Sequence, residues 1–256
     1  MAALTEGTPC WVDALLPDVE AGKRFYGELF GWTFDGGAEY THAYSEGLRV
    51  AALAPKRDGR MPTVWGVYFA TPGIVALGAR IRDAGGRMVT EPLPLDGFAV
   101  TALAADPDGA VFGLWEAGDH TGFEKQGEPG SFCWTEVYTR KKDAVDAFYE
   151  SVFGFQVRDL DDASMDFRVW SPAGTRAGDE TAIGGRGVIT NTFPAEMPAH
   201  FLSYFAVADC DDTAALATRL GGRVTEPPFD TPYGRIAVIA DNQGAVFAVL
   251  AEPMAA

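Results

Sequence analysis

The chain repeats itself, and a repeated chain must build the same local structure twice. Cys10-Trp11-Val12-Asp13 returns 123 positions later as Cys133-Trp134-Thr135-Glu136. Phe25-Tyr26 and Phe30-Gly31 return at the same offset as Phe148-Tyr149 and Phe153-Gly154. Further on, Asp106-Pro107-Asp108-Gly109-Ala110-Val111-Phe112 is matched by Asp241-Asn242-Gln243-Gly244-Ala245-Val246-Phe247, at an offset of 135. The offset grows, so the second half carries roughly a dozen extra residues ahead of its last unit. Gly174 to Pro198 is the loop expected to hold them.

Each half divides again. Trp11 to Leu16 reads as a buried strand that Pro17 ends, and Asp18 is placed to cap a helix. Ala21, Phe25 and Leu29 recur at helical spacing, and Gly31 is a natural stop. Three strand-like runs follow: Trp32 to Phe34, Tyr40 to Tyr44, and Leu48 to Leu53. The second unit repeats this order. Val64 to Ala70 is a strand, Thr71-Pro72 opens a helix with face residues Ile74, Leu77, Ile81 and Ala84, and Gly85-Gly86 closes it. Met88 to Thr90, Phe98 to Ala104 and Val111 to Trp115 are its later strands, the last two joined by a tight turn at Asp106-Pro107-Asp108-Gly109. A third unit runs from Phe132 to about Ile189, with Lys141 where the first has its capping Asp18. A fourth runs from His200 to Glu252 with Asp209 as cap. Gly184-Gly185-Arg186-Gly187 lacks the strand–helix setting of a phosphate loop and reads as a strand end and turn. The expected domains are 1–117 and 131–256, with a Gly-rich linker at 118–130.

A net charge of −16 argues against nucleic acid or an anionic membrane surface as partner, because phosphate needs a basic face. No apolar run is long enough for a membrane helix, and Met1 to Thr5 lacks the basic start of a leader. Three cysteines, an odd and sparse count, fit a reducing, cytoplasmic setting.

Four βαβββ units in two pairs, the Phe-Tyr…Phe-Gly helix and the Asp-Pro-Asp-Gly turn resemble the vicinal oxygen chelate superfamily of glyoxalases, bleomycin-resistance proteins and dioxygenases. The Trp-x-Asp/Glu start and the Gly-Ala-Val-Phe ending resemble a two-domain actinobacterial branch. That branch contains a mycobacterial culture-filtrate antigen and proteins labelled hydroxylases of secondary metabolism. The resemblance implies an α+β fold of two tandem domains, each pair of units curving its strands into a half-barrel with the ligand in the concavity. A typical member holds a divalent metal there with a His on the first strand, a His on the second unit's first strand and a Glu on the last strand. Here the first position falls on Trp11 and Trp134, and the Glu position on Gly113 and Ala248. The second His position falls near Trp65 or Gly66 and, in the other half, among His200 to Leu202. Trp, Gly and Ala offer no side-chain ligand, so no standard metal site and no cofactor is expected. A nonstandard divalent-metal site built from Asp13, Glu136 or His200 stays open as an alternative.

Asp13 and Glu136 stand two residues after the repeated tryptophans and so share their strand face. An acid in an apolar strand is costly unless paired, which makes these two the candidate acid–base residues; a structural, satisfied acid is the competing reading. Trp11, Trp134, Trp65, Tyr68, Trp115, Tyr138, Tyr204 and His200 are the candidate ligand-binding residues, with core packing as the alternative for each aromatic. His42 and His120 read as exposed. Cys10 and Cys133 lack a repeated His to activate them and read as packing residues. The function expected is action on a small, aromatic metabolite without the usual metal, by a lyase, isomerase or hydroxylase-like enzyme. The alternative is a binder that sequesters an antibiotic or metabolite without turnover. A monomer or a homodimer suits either.

Overall fold

The computed structural model describes residues 4–95, 97–160 and 166–252. The start of the chain, read above for a leader, lies largely outside them. Four modules follow one another, each a strand, a helix and further strands. The first has β1 (Pro9–Leu16), α1 (Val19–Phe30), β2 (Thr33–Gly36), β3 (Thr41–Ser45) and β4 (Leu48–Pro55). The second has β5 (Val64–Ala70), α2 (Ile74–Asp83), β6 (Arg87–Met88), β7 (Leu93–Leu95), β8 (Ala99–Ala105) and β9 (Val111–Ala117). The third has β10 (Phe132–Thr139), α3 (Lys142–Phe153), β11 (Gln156–Asp159), β12 (Phe167–Ser171) and β13 (Gly184–Val188). The fourth has β14 (His200–Ala206), α4 (Cys210–Arg219), β15 (Arg223–Thr231), β16 (Gly234–Ala240) and β17 (Val246–Ala251).

In every module the first strand pairs parallel with the last, and the remaining strands add on antiparallel. A helical crossover is what lets two strands of one short module run parallel. The strands form two curled sheets, ordered β2-β3-β4-β1-β5-β9-β8-β6 and β11-β12-β13-β10-β14-β17-β16-β15, with β7 beside β8. Each sheet is drawn from one half of the sequence.

Local chemistry fixes the ends. Asp18 Oδ1 accepts from the Ala21 N–H at 3.0 Å, and Gly31 and Gly154 end α1 and α3 at φ of 71° and 69°, where a side chain would be strained. Two expectations are corrected. The second helix starts at Ile74 with Gly73 as its cap residue, because the Glu116 carboxylate takes the Ile74 N–H at 2.9 Å and Thr71 turns its hydroxyl to Gly73. Gly184 to Gly187 is a strand, not a turn. Its glycines are required by close neighbours: a Cβ at Gly184 would come within 2.8 Å of the Thr135 carbonyl, and one at Gly187 within 2.9 Å of the Tyr138 ring.

By contacts the chain gathers into two compact units. One takes Met1–Trp11, Val67–Gly122 and Thr135–Phe201; the other takes Val12–Gly66, Phe123–Trp134 and Leu202–Ala256. At the centre of the first, Tyr149 is wholly buried among Phe112, Phe153, Trp170 and Phe201. Its hydroxyl donates to Asp106 Oδ2 at 3.3 Å. Asp106 Oδ1 meanwhile accepts the backbone N–H groups of Asp108, Gly109 and Ala110 and so shapes the β8–β9 turn. In the second unit Tyr26 plays the same part. It lies wholly buried among Trp32, Trp65 and Phe247 and donates to Asp241 Oδ2 at 2.8 Å. Asp241 Oδ1 gathers the N–H groups of Gln243 and Ala245. Burial, and then the adjacent carboxylate, pushes both phenols well above their ordinary pKa, so both stay donors. Lys141, which replaces the capping Asp18, reaches Asp108 at 3.2 Å, while Asp18 itself exchanges backbone hydrogen bonds with the side chain of Gln243.

Removing either phenol hydroxyl leaves a buried carboxylate oxygen short of a donor, at a cost of about 1–3 kcal/mol. Tyr26 also accepts the Trp65 indole N–H at 2.9 Å. Tyr26→Phe is therefore expected to destabilise more than Tyr149→Phe in urea denaturation, with both below wild type.

Candidate functional site

Register separates the two faces of each first strand. A Cβ on Gly22 of α1 would overlap Leu16, so Leu16, Ala14, Val12 and Cys10 face the helix and Trp11 and Asp13 face away from it. On β13, Arg186 forks onto Asp146 of α3 with two bonds of 3.0 Å, and its register partner on β10 is Val137. Trp134, Glu136 and Tyr138 therefore share the face turned away from that helix. The four inward pairs of first and last strand are Asp13 with Ala52, Tyr68 with Gly113, Glu136 with Gly185, and Tyr204 with Ala248. Two acids and two tyrosines thus occupy equivalent places.

The two acids differ in their surroundings. Asp13 is 4% exposed, and the Tyr40 hydroxyl stands 3.4 Å from its Oδ2. The register Asp13–Ala52–His42 brings His42 onto the same face, half-buried and 5.3 Å from the Tyr40 ring. Burial, and then Arg49, lowers the His42 pKa. The alternation Tyr40, His42, Tyr44 was the available sequence signal for this face, and reading His42 as exposed missed it. Glu136 is 9% exposed and its Oε2 accepts the Tyr138 hydroxyl at 2.7 Å. Tyr138 lies over Gly187, with His200 stacked on it at 5.5 Å and 12°, and Phe193 at 5.9 Å. One carboxylate, one phenol and one imidazole are thereby gathered in a half-buried aromatic setting.

The other candidates are placed as follows. Trp11 and Trp115 are buried and packed together at 6.0 Å. His120, expected at the surface, is wholly buried between them, 4.5 Å from Trp11 and 5.2 Å from Trp115. Its Nδ1 accepts the Gly122 N–H at 3.0 Å, which the sequence gave no pattern to reveal. Trp134, the counterpart of Trp11, is only half-buried. Trp65 and Tyr68 stand three apart on β5 and so on opposite faces. Trp65 joins the buried Tyr26 cluster, and Tyr68 lies edge-on to Trp115 at 5.8 Å. Tyr204 is 5% exposed. Cys10 and Cys133 direct their thiols to the backbone carbonyls of Tyr68 and Tyr204, and burial pushes the Cys133 thiol up to about 12 and Cys10 higher still. Protonated, bonded thiols are poor nucleophiles.

The residues present do not fit the metal site of the resembled family. The space a side chain at Gly113 would need is taken by the Tyr68 ring, and Ala248 stands opposite Tyr204. Among the described residues no group of three or more His, Cys, Asp or Glu side chains could hold a metal ion.

Comparisons agree with this architecture. The family model for the Glyoxalase/Bleomycin resistance protein/Dioxygenase superfamily matches residues 131–249. "Putative glyoxylase CFP32" of Mycobacterium tuberculosis is 38% identical over 96% of this chain and 95% of that protein. The anthracycline biosynthesis protein DnrV of Streptomyces peucetius is 36% identical over 98% of this chain and 95% of that protein. Among solved structures, the Mn(II)-bound glyoxalase of Novosphingobium aromaticivorans superposes with a TM-score of 0.67 at 18% identity, over 97% of this chain and 83% of that one. The 2,3-dioxygenase LapB of Pseudomonas sp. KL28 does so at 0.65 and 14%, over 98% and 95%. At such identities the structural likeness is one of fold.

Gly113→Ala is expected to force Tyr68 from its seat and lower stability by about 1–3 kcal/mol, as overpacking does. The double variant Gly113→Ala/Tyr68→Ala should recover part of that loss in thermal melts. Additive losses would mean that the ring does not depend on the glycine.

Proposed function

Since the chain belongs to the Glyoxalase/Bleomycin resistance protein/Dioxygenase superfamily, we propose that it is an enzyme acting on a small aromatic metabolite at the helix-free face of β10. In this reading Glu136 exchanges a proton with the ligand, and side-chain chemistry replaces the family's metal. The observation that carries it is the Glu136 carboxylate, 9% exposed and held through Oε2 by Tyr138 at 2.7 Å beside the half-buried rings of Tyr138 and His200. A carboxylate fixed by one donor and shielded from water is suited to proton transfer, which contributes typically about 10²–10⁴-fold to rate. Trp134 on the same strand face is half-buried, whereas its counterpart Trp11 is buried against His120. This favours the second sheet over the first.

The names of the relatives bear on the substrate. One is called a glyoxylase and the other a protein of anthracycline biosynthesis. Aromatic side chains beside Glu136 favour a planar aromatic ligand of the second kind. The division into 1–117, linker and 131–256 belongs to this reading, as does action without nucleic acid or membrane. In keeping with that, no described helix is long and apolar enough to cross a membrane.

The test is turnover of a panel of anthracycline aglycones and of the hemithioacetal of methylglyoxal, before and after exhaustive chelation. Glu136→Gln is expected to lower turnover by about 10²–10⁴-fold while ligand binding persists, and chelation to change nothing. Activity lost on chelation and restored by a divalent metal would overturn the reading. Tight binding without turnover, unchanged in Glu136→Gln, would instead make the protein a binder.

A further inference from the structure

His200 opens β14, half-buried, with its Nδ1 2.9 Å from the carbonyl oxygen of Pro198. A carbonyl only accepts, so Nδ1 carries the proton and Nε2 the lone pair of the neutral ring. Burial lowers the His200 pKa, opposed by the Pro198 hydrogen bond, which keeps the ring neutral near pH 7. The titratable groups that face it within its unit are Tyr138, stacked against it, and beyond that phenol Glu136. The Tyr138 hydroxyl proton is committed to Glu136. Arg140, at the end of β10, spends its guanidinium on the carbonyls of Ile189, Pro194 and Ala195. Lys142 is paired with Asp166 at 2.5 Å, and Arg186 points to the helix side of the sheet. The polar groups beside the stacked rings are therefore acceptors: a carboxylate and an imidazole lone pair.

We propose that this face selects a planar aromatic ligand that carries a hydroxyl group and no negative charge, with the hydroxyl donating to His200 Nε2. His200 is then the specificity-determining residue of the Glu136 site, and the inference rests on that site being the functional one. The chemistry is one of matching. An acceptor without a donor discriminates strongly against a ligand that cannot donate, because the buried lone pair then loses its water without replacement. A carboxylate on the ligand would meet Glu136 with like charge. Aromatic surfaces at Tyr138, His200 and Phe193 supply the stacking.

Three probes of one ring system test this: 2-naphthol, 2-methoxynaphthalene and 2-naphthoate, titrated by calorimetry into wild type and His200→Phe. Wild type is expected to bind 2-naphthol about 10-fold more tightly than the methyl ether, the worth of one well-formed hydrogen bond, and to bind 2-naphthoate weakest. His200→Phe keeps a stacking ring and should bring the naphthol and methyl ether within about 2-fold. Nitrogen NMR of the wild-type imidazole, which needs no variant, should show His200 protonated at Nδ1. Equal affinity for naphthol and its ether in wild type, a preference that survives in His200→Phe, no saturable naphthol binding, or an Nε2–H tautomer would each overturn the proposal. If Glu136→Gln keeps full turnover while His200→Phe loses the preference, the ligand class stands and the proton-transfer role of Glu136 falls.

Discussion

Two buried hydrogen bonds, Tyr149 to Asp106 and Tyr26 to Asp241, hold the architecture in place. Each aspartate has two tasks. One oxygen gathers backbone N–H groups and closes the turn before the last strand of a module, and the other takes a phenol from a helix in the opposite half of the sequence. A carboxylate buried in this way is tolerable only because both oxygens are satisfied. The turn and the helix thus become conditions for one another. Each contact unit, in consequence, combines a module from each half of the chain.

That constraint reaches the candidate site through register. The turn sets where the last strand begins, and the last strand lies parallel to the first of its module. Parallel pairing then decides which side chains meet on the face away from the helices. In two modules an acid stands opposite a small residue, and in the other two a tyrosine does. Gly113 lets the Tyr68 ring lie flat on the strand, and Gly187 does the same for Tyr138. These glycines are a consequence of aromatic rings on the sheet, and they exclude the longer side chains that a metal site would need there.

Much of the fold was legible because it rests on short-range rules. The repeated Trp-x-Asp/Glu and Phe-Tyr pairs announced the duplication, helical spacing found α1 to α4, and Asp18 and Asp209 cap where side chains of that kind should. Asp13 and Glu136 were found through period 2 along a strand. The misses have a common cause. His120 is buried by the chain folding its own segment onto Trp11, which no local pattern records. The glycine-rich β13 looked like a turn because its seats for Tyr138 and Phe167 lie on other strands. Trp65 and Tyr68 were named together although three positions on a strand put them on opposite faces.

The sequence by itself determined the four modules, their order and the two acids, since periodicity, capping and repetition are properties of neighbouring residues. Only the tertiary structure decided that the acids are unequal. Asp13 meets Tyr40 at 3.4 Å from another strand, while Glu136 meets Tyr138 at 2.7 Å on its own. The duplication copied the strand but not its seat: Tyr138 replaces Leu15 at the matching position, and it can lie beside Glu136 because β13 presents Gly187 opposite. Which phenol reaches which carboxylate depends on residues far apart in the chain, and cross-strand register alone brings them within hydrogen-bonding distance.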